Sequence, residues 1–345
     1  VAVPLAAAAG VPVAKMSGRG LGHSGGTLDK LESVPGLRVE LTAEEFVRQV
    51  DEVGLAIVGQ TGDLVPADKM MYALRDVTGT VPSPALIASS VMSKKVAGGA
   101  SAIVLDVKCG SGAFMKTEAD AKRLARLMLT VGAAFGRSTR AIISDMDEPL
   151  GTAIGNACEV REAIETLRGG GPADLRALAI EIAAIMVHAA DGAASLADAR
   201  ARVEDALTSG LGLERLAAMI EFQCGDASVV DAPNRLPRAR VEAAVESERA
   251  GIVQRVDALQ VGRAAMLAGA GRENKDQKVD PGAGVVLSAV RGDSVSSGDA
   301  VAVVFGSDEA RARAGAEALR SAYRIGDAAP PARQFVFKEV AGDSA

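Results

Sequence analysis

The run Ser101-Ala102-Ile103-Val104-Leu105-Asp106-Val107 is largely apolar, has the length of one strand, and leads into Gly110-Ser111-Gly112. A helix with one apolar stripe is predicted from about Thr117, and residues 139–144 form the next strand-like run. Apolar strands that alternate with helices are typical of a parallel sheet buried between helices. This stretch therefore predicts an α/β fold with a mainly parallel central sheet flanked by helices.

The same alternation extends toward the N-terminus, whereas the C-terminal third has a different pattern. Thr42-Ala43-Glu44-Glu45 is a capping box and predicts a helix start, and residues 55–58 predict a short buried strand. From about residue 232 the segments become short and strand-like, the last of them at 334–337, with one amphipathic helix at 309–323. The sequence therefore predicts a smaller C-terminal α+β domain.

The composition argues against several classes of protein. The 345 residues carry a formal net charge of -6 and only 3% aromatic residues, which does not fit the basic, aromatic surface that binds nucleic acid. No apolar run reaches the ~18 residues of a membrane span. Cys109, Cys158 and Cys224 lie far apart, which predicts free thiols in a reducing cytoplasm rather than disulfides or a metal site.

The most unusual segment is Ser17-Gly18-Arg19-Gly20-Leu21-Gly22-His23-Ser24-Gly25-Gly26-Thr27, which follows Lys15. Glycines let backbone N–H groups turn toward a ligand, and hydroxyls and cations complete an anion cradle. The alternative is a flexible surface loop. Such a loop does not require Arg19, His23 or the start of a helix directly after it. The composition of this segment favours a phosphate-type site.

Two other segments carry candidate side chains. Ser90 and Lys94 are four residues apart and share a helix face, and Arg75 lies upstream of them. Two cations in one pocket could bind a planar heterocycle, although spacing alone favours two solvated surface cations. Gly110-Ser111-Gly112 follows a strand, but Met115 stands where a dinucleotide motif requires a third glycine, so a dehydrogenase is not favoured.

Together these segments resemble the thymidine and pyrimidine-nucleoside phosphorylases. Residues 17–32 match the family signature almost residue for residue, and further matching blocks follow in the same order along the chain. These blocks are residues 60–61, 64–69, 75–78, 93–95, 106–115, 155–157, 269–272 and 280–284. The resemblance covers essentially the whole chain.

The resemblance implies a reaction and the residues that carry it. Family members react thymidine, and in some cases uridine or deoxyuridine, reversibly with inorganic phosphate to give the free base and a pentose 1-phosphate, without an organic cofactor. Some relatives also carry a monovalent cation such as K⁺. The implied residues are Lys15, Ser17 and Thr27 for phosphate, Arg75, Ser90 and Lys94 for catalysis and base binding, Leu21, Ile87 and Phe114 for the base pocket, and Leu150, Ala153 and Glu162 for the cation.

The resemblance also implies the domain organisation and the partner. Family members are homodimers whose small helical domain and large α/β domain close over a cleft. An α/β phosphate-binding domain is therefore expected at 1–66 and 98–231, part of the helical, base-binding and dimerising domain at 67–97, and the C-terminal α+β domain at 232–345.

Two alternatives to an active phosphorylase stay open at the level of sequence. A phosphoribosyltransferase of the anthranilate type has a related fold, but it needs an acidic diphosphate–Mg²⁺ motif, and no convincing copy is present. A non-catalytic module of the same fold is the second alternative.

The second alternative arises from one departure from the family pattern. In relatives a Lys-His-Ser-Thr-Gly-Gly loop precedes the signature, supplying phosphate ligands and the proton donor to the base, and residues 1–345 contain no copy of it. We therefore expect residues 1–345 alone to have little or no phosphorolytic activity. Thymine release from thymidine and phosphate measures this, and release at the full rate of the relatives would contradict the expectation.

Overall fold

The computed structural model describes residues 1–20, 22, 25–59, 65–68, 70–71, 74, 80, 83–272, 274 and 277–340, without the side chains of 337–339. The α-helices are α1 (Ala2–Ala8), α2 (Thr27–Glu32), α3 (Ala43–Val53), α4 (Pro84–Ala97), α5 (Glu118–Ala134), α6 (Ala157–Leu167), α7 (Ala173–Ala189), α8 (Leu196–Thr208), α9 (Leu211–Phe222), α10 (Ala258–Ala265) and α11 (Glu309–Arg320). The strands are β1 (Val13–Ser17), β2 (Leu55–Gly59), β3 (Ala102–Cys109), β4 (Ser138–Asp145), β5 (Ala153–Gly155), β6 (Val241–Glu246), β7 (Gly251–Val256), β8 (Gly284–Leu287), β9 (Ser294–Val295), β10 (Ala300–Gly306), β11 (Tyr323–Gly326) and β12 (Val336–Val340).

The first two-thirds of the chain contain two parallel strand pairs, as the sequence predicts. β1 lies parallel to β2, with Val13 opposite Leu55. β3 lies parallel to β4 over eight residues, from Ala102 opposite Ser138 onward, and α5 makes the connection between them. The predicted α/β class is therefore confirmed. No helix in the described ranges is long and apolar enough to cross a membrane.

The C-terminal part is built from antiparallel strands. β6, β10 and β8 form one sheet, which β5 extends, and β11, β7 and β9 form another. Helices α10 and α11 pack against each other beside these strands. Because β5 immediately precedes α6, the C-terminal sheet takes one strand from the preceding part of the chain.

The last strand differs from its sequence prediction in position. A strand was expected at 334–337, whereas β12 spans Val336–Val340 and lies antiparallel to β4, with Val340 opposite Ala141. The free edge of β4 supplies unpaired backbone groups, so the start of β12 depends on where that edge lies rather than on local pattern.

The apolar core is divided into clusters. One contains α1, β1, β2 and helices α6 to α9, and another extends from Ala239 to Ala322. A third joins β3, β4, α5 and α4, where Ala88 and Met92 are buried. Helix α4 packs against α5, and α5 in turn packs on β3 and β4. The predicted domain boundaries at 66/67, 97/98 and 231/232 remain predictions.

The capping box at the start of α3 is confirmed, and it yields a test of local stability. The Glu45 amide donates to Thr42 Oγ1 at 3.1 Å, and the Thr42 amide donates to Glu45 Oε2 at 2.8 Å. Thr42→Ala should lower the free energy of unfolding by about 1 kcal/mol, because one amide of the first turn loses its acceptor. Urea unfolding followed by circular dichroism measures this.

Thr130→Ala is the matched control for that measurement. Thr130 lies exposed on α5 and donates only to the Arg126 carbonyl at 2.9 Å. Its replacement should change the free energy of unfolding by no more than about 0.5 kcal/mol. Equal effects of the two substitutions would contradict a stabilising role for the capping box.

Candidate active site

A cavity of about 820 Å³ lies between the first strand pair, β3, α4 and the segment that follows β4. It has the volume of a site for a small ligand, for which roughly 300–1,000 Å³ is usual. Several residues that the sequence singled out line this one cavity. They are Lys15, Thr27, Ile87, Phe114, Leu150, Ala153 and Glu162.

The glycine-rich segment links β1 to α2 at the cavity wall. Ser17 ends β1, and Thr27 is the first residue of α2. A Cβ at Gly26 would lie 2.1 Å from the Gly20 amide nitrogen, so this close approach of the backbone to itself requires glycine. Leu21, which was predicted to line the base pocket, lies outside the described residues.

Two lysines from this region give one wall of the cavity its charge. Burial and, to a smaller extent, the ammonium groups of Lys95 and Lys30 together lower the pKa of Lys15 to about 8. Burial also disfavours the Lys30 ammonium, but Glu159 lies 2.5 Å away and the pKa of Lys30 is raised. Lys30 is thus neutralised by Glu159, whereas an anion beside Lys15 would offset the cost of its charge.

Lys15 also contacts another predicted phosphate ligand. Its Nζ donates to Ser17 Oγ at 3.4 Å. Ser17 is not among the described residues that line the cavity, so it meets the site through Lys15.

Ser90 and Lys94 form the contact that their spacing on α4 predicts. Lys94 Nζ donates to Ser90 Oγ and to the Ser90 carbonyl, both at 2.9 Å, and it pairs with Asp68. Lys94 is therefore a partly buried, paired cation and not a solvated one. Ser90 and Lys94 are not among the described residues that line the cavity, but Ile87, which does line it, lies seven residues before Lys94 on the same helix face. Arg75 lies outside the described residues.

Asp68 is a residue whose part in the site the sequence did not reveal. It belongs to the matching block at 64–69, but no local pattern indicates that its carboxylate meets Lys94, 26 residues later. The side chain of Asp68 is only 11% exposed. Asp68 and Ser90 together fix the position of the Lys94 ammonium.

Gly110 and Gly112 let two turns pack closely at the base of the cavity. Gly110 has a φ of 134°, and a Cβ on it would lie 2.5 Å from the Asp147 amide nitrogen. The Gly112 amide donates to the Met146 carbonyl at 2.9 Å. Backbone packing therefore accounts for this Gly-x-Gly without a bound nucleotide. Phe114, which follows, lines the cavity and is 56% exposed.

The residues implied for a cation lie together on another part of the wall. Glu162 Oε1 accepts hydrogen bonds from the Thr152 amide at 2.8 Å, Thr152 Oγ1 at 2.7 Å and the Ala153 amide at 2.9 Å. Burial raises the pKa of Glu162 despite these donors. The carbonyls of Leu150 and Ala153 with this carboxylate are an oxygen set, which suits a hard cation.

Two further polar groups at the site were not identified from the sequence. Arg272 pairs with buried Asp29 at 2.7 Å, and Asp29 accepts a hydrogen bond from the Gly20 amide at 2.7 Å. On the wall of the cavity, Lys108 pairs with Asp106 at 2.7 Å and donates to Ser144 Oγ at 2.9 Å. Lys108 and Asp106 lie in the matching block 106–115, and Arg272 lies in the block 269–272. Membership of these blocks is the only sequence signal that could have drawn attention to them, and no such contacts were predicted from it.

Comparison with known proteins finds two matching family models and several similar relatives. A family model described as "Glycosyl transferase family, a/b domain" matches residues 1–213, and one described as "Pyrimidine nucleoside phosphorylase C-terminal domain" matches residues 252–326. A pyrimidine-nucleoside phosphorylase of Bacillus subtilis (strain 168) is 52% identical over 309 residues, which cover 90% of this chain and 71% of the relative.

A second relative gives the same result. A pyrimidine-nucleoside phosphorylase of Geobacillus stearothermophilus is 53% identical over 306 residues, which cover 89% of this chain and 71% of the relative. The resemblance found in the sequence motifs is thereby confirmed. The chain belongs to the pyrimidine-nucleoside phosphorylase family, a family of pentosyltransferases.

Proposed function

We propose that this chain catalyses the reversible phosphorolysis of thymidine, and of uridine and deoxyuridine, to the free pyrimidine and a pentose 1-phosphate. One structural observation supports the proposal in addition to family membership. Lys15 and Thr27, the predicted phosphate ligands, line the same cavity as Ile87 and Phe114, the predicted walls of the base pocket. One hollow can therefore hold both reactants.

Inorganic phosphate is the co-substrate of this family, which needs no organic cofactor. In the proposed site, Lys15, Ser17 and Thr27 bind the phosphate. The lowered pKa of Lys15 supports this role, because a bound anion restores the stabilisation that burial removes. Phosphate held here is positioned rather than chemically activated.

On the base side, Arg75, Ser90 and Lys94 bind the pyrimidine, and Leu21, Ile87 and Phe114 enclose it. A phosphate oxygen attacks C1′ as the bond from C1′ to the base breaks, and the electron pair of that bond leaves with the pyrimidine. The Lys94 ammonium, oriented by Asp68 and Ser90, stabilises the negative charge on the departing base.

This reaction needs no protein nucleophile, and the chemistry of the thiols agrees with that. Burial raises the pKa of Cys158 to about 12 and also raises the pKa of Cys109. Both groups are protonated near neutral pH and are poor nucleophiles. The rate enhancement then comes from positioning two reactants and from electrostatic stabilisation.

A monovalent cation, K⁺, is part of the proposal. The carbonyls of Leu150 and Ala153 and the carboxylate of Glu162 would hold it. The raised pKa of Glu162 supports a fit, because a cation nearby would compensate for the burial of this carboxylate. When bound, the cation would contribute a positive charge to this wall of the cavity.

The expected partner is a second copy of the chain. The predicted small helical domain at 67–97 exposes Met70, Met71 and Leu74, which supports a homodimer contact through that domain. The free thiols of the three cysteines support a reducing cytoplasm as the location.

Lys94→Met tests the proposed role of the ammonium group. The substitution should lower kcat for thymidine phosphorolysis by about 10²–10³-fold, the usual effect of removing one group that stabilises transition-state charge. Base release is measured at saturating phosphate, and ratios between variants are compared because the absolute rate of residues 1–345 is expected to be low.

Lys122→Met is the matched control. Lys122 lies on α5, where it pairs with Glu118 one helical turn away. Its replacement should leave kcat unchanged. An unchanged kcat in Lys94→Met would contradict the proposed function.

The pKa of Lys15 predicts a pH dependence of phosphate use. Lys15 is charged below pH 8 and neutral above it, so kcat/KM for phosphate should fall about tenfold between about pH 7 and pH 9. Lys15→Arg, whose guanidinium stays charged, should remove this fall. A flat profile of the unsubstituted protein across this range would show that Lys15 does not bind the phosphate.

A further inference from the structure

The turn at residues 145–150 forms part of the cavity wall and connects β4 to β5. Met146, Pro149 and Leu150 of this turn line the cavity. Asp145 and Glu148 are buried at 7% and 6% exposure, so the turn carries charged side chains that water does not solvate. Such a turn needs partners from elsewhere in the chain.

Arg333, in the segment just before β12, pairs with Asp145 and also binds two backbone carbonyls of the turn. Its Nε donates to Asp145 Oδ2 at 2.5 Å, its Nη1 to the Pro149 carbonyl at 2.8 Å, and its Nη2 to the Glu148 carbonyl at 2.8 Å. The side chain of Arg333 is 13% exposed and lies over the Phe335 ring at 5.0 Å. One guanidinium group therefore joins both ends of the turn.

The shape of this contact restricts the turn to one conformation. A guanidinium group is planar, so its three donors reach the carboxylate and the two carbonyls only when these acceptors lie in the observed arrangement. An ammonium group on a flexible stem could keep the ion pair with Asp145 without holding both carbonyls. Arg291 adds a second contact, to Glu148 Oε1 at 2.9 Å, but it bonds the side chain and not the backbone of the turn.

The turn at 145–150 is also coupled to the segment that ends in Phe114. Gly112 donates its amide to the Met146 carbonyl at 2.9 Å, and Ser111 donates its amide to Asp147 Oδ1 at 2.8 Å. A displaced 145–150 turn would therefore displace the wall that Phe114 forms. The predicted phosphate ligands lie on β1 and α2, on a different part of the wall.

We propose that Arg333 is a positioning residue for the nucleoside side of the cavity, because it holds the 145–150 turn against the segment that carries Phe114. The inference rests on the proposed function for its kinetic consequence. The structural part of the inference, that Arg333 holds the turn, does not depend on the proposed function.

The kinetic test compares Arg333→Lys with Arg249→Lys. Arg249 makes an exposed ion pair with Asp327 in the same C-terminal segment, so it is a matched replacement away from the turn. Arg333→Lys should raise KM for thymidine about tenfold and leave KM for phosphate within about twofold, whereas Arg249→Lys should change neither. An unchanged thymidine KM, an equal rise of both KM values, or a loss of kcat alone would overturn the proposal.

A second measurement separates this inference from the proposed function. Hydrogen exchange of a peptide covering 145–150 should be about tenfold faster in Arg333→Lys and unchanged in Arg249→Lys. Full protection of this peptide in Arg333→Lys would overturn the proposal. Where Arg333→Lys gives no folded protein, Asp145→Asn, which removes the paired charge at nearly constant size, provides the same readout. The exchange measurement does not depend on base release, so it tests this inference separately from the proposed function.

Discussion

The parallel pairing of β3 and β4 brings two turns into contact at their carboxyl ends, and the cavity wall depends on that contact. A Cβ at Gly110 would lie 2.5 Å from the Asp147 amide nitrogen, and one at Gly112 would lie 2.8 Å from Ala258 Cβ. Because both positions are glycine, the backbones of the two turns come into contact, and the Gly112 amide donates a hydrogen bond to the Met146 carbonyl. Phe114 on one turn and Leu150 on the other then face the same hollow.

Some charged side chains that line this cavity are not fully paired with an opposite charge. Glu159 neutralises Lys30, but burial and two neighbouring lysines leave the pKa of Lys15 lowered. Burial likewise leaves the pKa of Glu162 raised. In the proposed function, a phosphate beside Lys15 and a cation beside Glu162 would supply the missing charge.

Arginines from the C-terminal part hold the site from outside. Arg272 pairs with Asp29, which binds the backbone of the glycine-rich segment at Gly20, and Arg333 binds the turn after β4. β12 then pairs with β4 itself. The last third of the chain is thus part of the support of the cavity, although the predicted phosphate and base ligands all precede residue 115.

The sequence by itself determined the local features of this protein. The capping box at Thr42, the strand before Gly110, and the shared helix face of Ser90 and Lys94 follow from contacts within a few residues, where helix and strand periods apply. The signature at 17–32 identified the family. Only the tertiary structure decided that Asp68 meets Lys94, that Arg333 meets Asp145, and that β12 joins β4. These partners are separated by tens to hundreds of residues, and no local period links a charged side chain to a partner at that distance, because the packing of the whole chain brings them together.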